Sequence, residues 1–147
     1  MRPALFLDRD GTINEDPGYV HEIKDLKIFP DIIQTIKTYA DKGYLIIVIT
    51  NQSGVGRGYF NVDDLIAFNF AIEKELMEKG ARIDAFYFCP HTPAENCGCR
   101  KPKRGMVDAA LKDFDIDLKQ SIIIGDREDT DGALARSLGI EYKILKR

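Results

Sequence analysis

Aspartates follow two separate apolar segments of this chain. Asp8 and Asp10 come directly after ALFL, and Asp126 follows SIIIG. Three converging acids repel one another unless a hard cation neutralises them, and an all-oxygen site suits Mg²⁺. A carboxylate can also attack phosphorus to form an aspartyl-phosphate, and a second carboxyl two residues later could protonate the leaving group. This pattern predicts magnesium-dependent phosphoryl transfer.

A second apolar segment, YLIIVI, ends in polar residues that could hold a phosphate. The hydroxyl and amide groups of these polar residues suit phosphate oxygens. Lys101, further along the chain, could supply positive charge to the transferring group. An isolated Asp-Gly pair after a strand is usually only a turn. Here the Asp-Gly pair occurs together with a polar strand end and with Lys101, which favours the catalytic interpretation. The phosphate and substrate contacts are expected at Thr50, Asn51, Gln52 and Ser53.

All three cysteines and one of the two histidines lie in the stretch CPHTPAENCGC at 89–99. The pattern C-x-H-x5-C-x-C offers four ligands that zinc favours, and four protein ligands leave no open position, so the ion would be structural. The alternative is a set of half-buried thiols that behave as small apolar groups. We expect zinc bound by Cys89, His91, Cys97 and Cys99. Because Arg100 and Lys101 follow directly, fixing Cys99 would fix where both cations point.

The elements that must position these residues alternate between strand-length apolar runs and segments with helical spacing. This alternation is typical of a five-stranded parallel sheet with helices on both faces, a Rossmann-like α/β fold in which ligands collect at the carboxyl ends of the strands. The expected strands are 4–8, 44–50, 83–88, 121–126 and 141–145. The expected helices begin near Asp31, Asp63, Met106 and Asp131.

Specific expectations attach to three of these helices. The carboxylate of Asp31 is expected to cap the first helix, which would stop at Gly43. The second would turn Leu65, Ile66, Ile72 and Leu76 inward, and the fourth would end by Gly139. The longest stretch without clear periodicity is 89–104, the expected zinc loop.

Length and charge limit the remaining possibilities. A chain of 147 residues is the usual size of one domain, so we expect a single domain over 1–147. A formal charge of −3 attracts nucleic acid or anionic lipid only weakly, and KPKR at 101–104 is the only basic cluster. The N-terminus does not resemble a signal peptide, and no apolar run is long enough to span a bilayer. We expect a cytoplasmic monomer with no nucleic-acid or membrane partner.

Taken together, DRDGT at 8–12, VITNQSG, CRKPKRGM and IIIGD resemble, in order, the four motifs of the haloacid dehalogenase-like (HAD-like) phosphatases. The resemblance implies that Asp8 is the nucleophile and Asp10 the general acid and base. It also implies that Thr50 binds phosphate, that Lys101 stabilises the attacked phosphoryl group, and that Asp8, Asp126 and the carbonyl of Asp10 bind Mg²⁺.

One departure from the family concerns the last motif. Members commonly carry GDxxxD, but Thr130 stands four residues after Asp126, with Asp129 and Asp131 on either side. We interpret this as a one-residue insertion. Asp131 fits better as the helix-starting acid, but either aspartate could support the metal.

The CPH and CxCRKP segments resemble two cap-free groups of this family, the D,D-heptose 1,7-bisphosphate 7-phosphatases and the histidinol-phosphate phosphatases. GYVH at 18–21 and the Arg-Gly turn at 57–58 are more similar to the heptose enzymes. Arg57, Arg100 and His21 are therefore expected to contact a sugar bisphosphate. Histidinol phosphate carries an amine that Glu15 and Asp16 would suit. A non-enzymatic alternative is a binding module that uses the zinc loop and KPKR.

Overall fold

The computed structural model describes all residues, 1–147, and its sheet has five parallel strands. The strand order is β3-β2-β1-β4-β5. β2 and β3 therefore lie on one side of β1, and the chain then crosses over to place β4 and β5 on the other side. This confirms the expected five-stranded parallel sheet. The strands are β1 (Ala4–Leu7), β2 (Leu45–Asn51), β3 (Ala85–Cys89), β4 (Ile122–Gly125) and β5 (Glu141–Ile144).

Helices cover both faces of this sheet, as the alternating pattern predicts. One core cluster includes Ile32, Ile36 and Ile72 against one face, and the other includes Val107 and Leu134 against the opposite face. None of the helices has the length and apolar composition needed to cross a membrane. The helices are α1 (Pro30–Asp41), α2 (Ser53–Gly56), α3 (Val62–Glu78), α4 (Gly105–Asp113) and α5 (Ala133–Leu138).

The beginning of α1 differs from the expectation. The helix starts at Pro30, whose fixed φ suits the first helical position, and no side chain caps its free amides. Asp31 instead accepts two hydrogen bonds from Arg147 Nη1, each 2.8 Å long. The guanidinium of Arg147 also stacks 3.8 Å from the ring centroid of Phe29 and donates to the carbonyl of Thr12 over 2.6 Å. Arg147 thus ties the segment after β5 to the start of α1 and to the loop that follows β1.

The buried face of α3 also differs at one position, since Ile66 is 53% exposed and the expectation that it points inward is wrong. The inward residues follow the i, i+3, i+4, i+7 spacing of a single helical stripe, which Ile66 does not share. They are Leu65, Phe68, Asn69, Ile72 and Leu76. Asn61 begins the helix with a reciprocal capping box to Asp64, a signal that lies just before the predicted start.

The fourth predicted helix has two parts. Residues Glu128–Gly132 form a π-helical turn, and α5 follows directly and ends at Gly139 in the left-handed conformation. A π turn accommodates one extra residue in a helix and is frequent at functional sites. It provides room for the one-residue insertion that we inferred after Asp126.

Candidate active site and thiol cluster

The ends of β1, β2 and β4 surround a polar cavity of about 300 Å³ at the carboxyl edge of the sheet. The strands are in register there, with Leu7 opposite both Val48 and Ile124, so the residues that follow them meet. The cavity is lined by most of the side chains that the motifs identify. They include Asp8, Asp10, Thr50, Asn51, Gln52, Ser53, Arg57, Arg100, Lys101 and Asp126.

Lys101 joins two carboxylates at the base of this cavity. Its Nζ donates to Asp8 Oδ1 and to Asp131 Oδ1, each over 2.8 Å, and to the carbonyl of Ile49 over 2.9 Å. Burial raises the pKa of Asp8 to about 6 although the Lys101 cation lowers it. Burial opposes the charge of Lys101, but Asp8 and Asp131 outweigh it and raise the pKa of the lysine. The site therefore keeps a buried, charged lysine against the proposed nucleophile.

Asp8, Asp126 and Asp131 offer carboxylate oxygens that all lie within 4.8 Å of one another. A β-carbon at Gly11, where φ is 84°, would collide with the Asp126 carboxylate, so this position needs glycine. Asp129 lies outside the cluster, where it is exposed and accepts a hydrogen bond from Arg127 over 2.8 Å. Of the two aspartates that the sequence left open, the structure brings Asp131 to the carboxylate cluster.

The carboxylate of Asp10 is held by hydrogen bonds that the sequence motifs do not predict. Arg9 donates to both of its oxygens, over 2.7 and 3.1 Å, and Asn14 Nδ2 donates to Oδ1 over 3.1 Å. Gln52 Nε2 donates to Asp10 Oδ2 and to Thr50 Oγ1, each over 2.9 Å. Gln52, expected to contact substrate, thus also links the two proposed catalytic groups Asp10 and Thr50.

Asn51 has a comparable link to Lys101. Its Nδ2 donates to the Lys101 carbonyl over 3.2 Å, and its Oδ1 accepts from the Lys101 backbone amide over 2.9 Å. The side chain that was expected to bind substrate is therefore engaged with the catalytic loop across the cavity. Ser53 lines the cavity at the start of α2.

Besides Lys101, four basic side chains lie in the loops after β2 and after the cysteine stretch, and only two of them line the cavity. Arg57 and Arg100 line the cavity. Lys103 instead donates within the cysteine loop, to Asn96 Oδ1 and to the Cys97 carbonyl, and Arg104 pairs with Asp108 on the surface.

His21 does not line the cavity, which differs from the expected substrate contact. Its ring stacks on Phe60 with centroids 4.7 Å apart, and its Nδ1 lies 2.8 Å from the Tyr19 carbonyl. The stacking brings the GYVH segment against the segment that follows Arg57. Tyr19 and Tyr59 form a second aromatic pair between these segments, with centroids 4.9 Å apart.

The four sulfur and nitrogen groups of the 89–99 stretch converge on one point. Cys89 Sγ lies 2.8 Å from Cys99 Sγ and 3.4 Å from Cys97 Sγ, and His91 Nδ1 lies 3.2 Å from Cys99 Sγ. The cysteines are free thiols. A tetrahedral zinc site with bonds of about 2.3 Å has ligand separations of about 3.8 Å. The donor set fits zinc, and the three separations above are shorter than those of such a site by about 0.4 to 1 Å.

The loop that carries these ligands is anchored at both ends. Cys89 is the last residue of β3 and is fully buried, while Gly105, the first residue of α4, donates to the Gly98 carbonyl over 3.1 Å. A β-carbon at Gly105 would lie 2.7 Å from Cys99 Cα, so glycine allows the close approach. Partial burial of the Cys97 thiol raises its pKa, but hydrogen bonds, led by that from the Arg100 backbone amide, outweigh this effect and lower the pKa to about 6.

Comparison with known proteins identifies the family. A family model described as HAD-hydrolase-like matches residues 98–145. A protein of Thermoplasma acidophilum, named as a probable D-glycero-D-manno-heptose-1,7-bisphosphate 7-phosphatase, is 50% identical over 142 residues, which cover 97% of this chain and 89% of the relative. The chain belongs to the HAD-like phosphatase family. The resemblance seen in its motifs is confirmed.

This HAD-like phosphatase is also similar to a D-glycero-beta-D-manno-heptose-1,7-bisphosphate 7-phosphatase of Haemophilus ducreyi. The two are 41% identical over 153 residues, which cover 99% of this chain and 84% of the relative. Among solved structures, a D,D-heptose 1,7-bisphosphate phosphatase of B. bronchiseptica, complexed with magnesium and phosphate, matches with a TM-score of 0.87 and 30% identity. That match covers 98% of this chain and 80% of the other.

Proposed function

We propose that this phosphatase is magnesium-dependent and removes the 7-phosphate of D-glycero-D-manno-heptose 1,7-bisphosphate through an aspartyl-phosphate on Asp8. The observation that carries the chemistry is the contact of Lys101 Nζ with Asp8 Oδ1 over 2.8 Å at the base of an open polar cavity. The relatives named above support the choice of substrate.

Oxygen donors make the carboxylate cluster suitable for magnesium. Asp8, Asp126 and Asp131 carry three negative charges, and Lys101 supplies one positive charge, so a divalent cation would balance the remainder. Asp8 and Asp126 would hold the ion together with the Asp10 carbonyl, and Asp131 would orient Lys101. When bound, Mg²⁺ would neutralise charge on the phosphoryl oxygens.

In the first step, a carboxylate oxygen of Asp8 attacks phosphorus and the bond from phosphorus to the sugar oxygen breaks. Lys101 balances negative charge beside Asp8, and Thr50 contacts the phosphoryl oxygens. Asp10 gives its proton to the departing sugar oxygen, which leaves as a neutral hydroxyl.

In the second step, water attacks the aspartyl-phosphate and Asp10 takes a proton from that water. The bond between phosphorus and Asp8 breaks, which releases phosphate and restores both carboxyl groups to their starting forms. Gln52 contacts both Asp10 and Thr50, so it holds the proton-transfer group and the phosphate-binding group in a common frame.

Zinc is the second ion of this proposal, with a structural role. Bound by Cys89, His91, Cys97 and Cys99, it would stabilise a loop that has little core of its own. This loop carries Arg100 and Lys101 directly after the last ligand, so zinc would act on catalysis through the position of the lysine. We also propose a cytoplasmic location, where thiols stay reduced and available to zinc.

Arg57 and Arg100 support a sugar bisphosphate as the substrate, because both line the cavity and carry charge that suits a second phosphate. We propose a monomer over 1–147, a single domain with no nucleic-acid or membrane partner.

The test is the Mg²⁺-dependent kcat/KM on both anomers of heptose 1,7-bisphosphate and on histidinol phosphate, with Asp8→Asn as the blank. A preference of about 100-fold, or about 2.7 kcal/mol, for a heptose bisphosphate supports the proposal. A preference for histidinol phosphate overturns the substrate and directs attention to Asp16, which also lines the cavity. Activity that survives Asp8→Asn overturns the mechanism.

A further inference from the structure

Arg9 stands between the two catalytic aspartates in sequence and has no part in the mechanism described above. Its side chain is only 1% exposed. A buried charge is costly unless it is paired and hydrogen-bonded, so a fully enclosed arginine beside an active site needs a compensating set of partners.

The partners come from three different elements. Nε and Nη2 bind the two oxygens of Asp10, Nη1 donates to Asn69 Oδ1 over 3.0 Å, and Nη2 also donates to the Val20 carbonyl over 3.2 Å. The guanidinium carbon lies 4.6 Å from the ring centroid of Phe68, within the range of a cation–π contact. Phe68 and Asn69 are themselves buried in α3.

This arrangement gives the Arg9 guanidinium little freedom to turn. Asp10 and Asn69 bind the N–H groups along the edge of the planar guanidinium, and Phe68 packs against its face. A bidentate pair fixes the orientation of a carboxylate as well as its position. Lysine in the same place could supply the charge but not the fork.

We propose that Arg9 is a positioning residue for Asp10: it aims the carboxyl group at the leaving oxygen of the substrate and ties that aim to the segment containing Val20. The inference rests on the proposed function, since it concerns how Asp10 transfers its proton. Arg9 does not touch the substrate, because the fork is occupied by Asp10, Asn69 and Val20.

Leaving groups distinguish positioning of Asp10 from a general structural role. A sugar oxygen needs the proton of Asp10 to depart, whereas the nitrophenolate of p-nitrophenyl phosphate departs with the bond electrons and needs none. For both substrates kcat/KM reports the steps up to formation of the aspartyl-phosphate, so the later base role of Asp10 does not enter. A misaimed Asp10 therefore impairs the sugar phosphate selectively.

The experiment compares Arg9→Lys with the intact protein on heptose 1,7-bisphosphate and p-nitrophenyl phosphate. We expect kcat/KM to fall about 10- to 100-fold on the sugar phosphate and less than about 3-fold on the aryl phosphate. Asp10→Asn should show the same selectivity, and Lys101→Met should impair both substrates. An equal loss on both substrates, or no loss on either, overturns the positioning role.

Asn69→Leu covers the case in which Arg9→Lys does not fold. It removes one acceptor of the guanidinium but leaves the pair with Asp10, so we expect the same selective loss at a smaller size, and a loss shared equally by both substrates overturns the proposal. A failure of the proposed function is recognised separately in the intact protein: hydrolysis of neither substrate overturns the phosphatase mechanism, and hydrolysis of the aryl phosphate alone overturns the choice of heptose bisphosphate.

Discussion

Asn51 and Lys101 exchange two hydrogen bonds across the active-site cavity, one to the lysine carbonyl and one from its backbone amide. The pair connects the end of β2 to the loop that follows the cysteine cluster. Lys101 is thus held from two sides, by Asn51 through its backbone and by Asp8 and Asp131 through its ammonium group.

Loss of the two hydrogen bonds between the Asn51 side chain and the Lys101 backbone should reduce activity, because the lysine would be displaced. We expect Asn51→Ala to lower kcat/KM about 10- to 100-fold, since displacement by about 1 Å can cost on the order of 100-fold. If Asn51 acts through Lys101, the double variant with Lys101→Met should be no less active than Lys101→Met alone. Additive losses in this double-mutant cycle would contradict the coupling and indicate a direct substrate contact.

Asp131 and Asp129 should differ sharply in their effect on catalysis. Asp131 is buried against Lys101, whereas Asp129 is exposed and paired only with Arg127. We expect Asp131→Asn to lower kcat/KM about 10- to 100-fold, as is typical of groups that orient metal-site and catalytic residues. Asp129→Asn, the matched control, should change it by less than about 2-fold because exposed ion pairs contribute little. The reverse order of effects would show that the cluster is assigned to the wrong aspartate.

Zinc removal should impair turnover without dismantling the carboxylate cluster. We expect about one zinc ion per chain by elemental analysis, as four ligands in one closed site require. Stripping it with a zinc-selective chelator in excess Mg²⁺ should lower kcat, and adding zinc back should restore it. Cys97→Ser should reproduce the loss. Full activity in a sample verified to be free of zinc would refute the indirect role of the ion.

Magnesium binding should depend on pH through Asp8. The folded pKa of this carboxyl is raised from 3.8 to about 6, so the metal-free folded state binds the proton more tightly than the unfolded chain does. The contribution of Asp8 to the free energy of unfolding therefore falls as pH rises from about 4 to about 6 in the absence of metal.

Protons and Mg²⁺ compete for the same carboxylate, so the increase in Tm caused by Mg²⁺ should be small at pH 5 and grow as pH rises through about 6. Thermal unfolding with and without Mg²⁺ across this range measures the effect. In Asp8→Asn the dependence between pH 5 and pH 7 should be largely lost. A magnesium shift that is independent of pH in the intact protein would show that Asp8 is not a ligand.

Arg147 should contribute to stability through the loop after β1. Its side chain stacks on Phe29, pairs with Asp31 and donates to the Thr12 carbonyl. We expect Arg147→Ala to lower the free energy of unfolding by about 1 to 2 kcal/mol, in the range of charge-assisted hydrogen bonds with some solvent exposure. Lys146→Ala is the matched control, and equal effects of the two substitutions would argue against a specific anchor.

The amino-acid sequence by itself determined the sheet, the meeting of the acidic strand ends and the grouping of the thiols. Parallel strands share one carboxyl edge, so Asp8, Thr50 and Asp126 were expected at that edge once the strands were recognised, and the strand order β2-β1-β4 makes them neighbours. Cys89, His91, Cys97 and Cys99 lie within eleven residues, and such short separation leaves little choice of partners.

Only the tertiary structure decided where side chains point in the irregular segments. A π turn absorbs the extra residue after Asp126 and brings Asp131 rather than Asp129 to Lys101. Asn51 and Gln52 were recognisable as polar residues at a strand end, but their contacts with Lys101 and Asp10 depend on elements distant in sequence. The burial of Arg9 likewise depends on Asn69 and Phe68 of α3. Spacing cannot specify these directions, since they follow from the backbone dihedrals of the turns and from packing between elements.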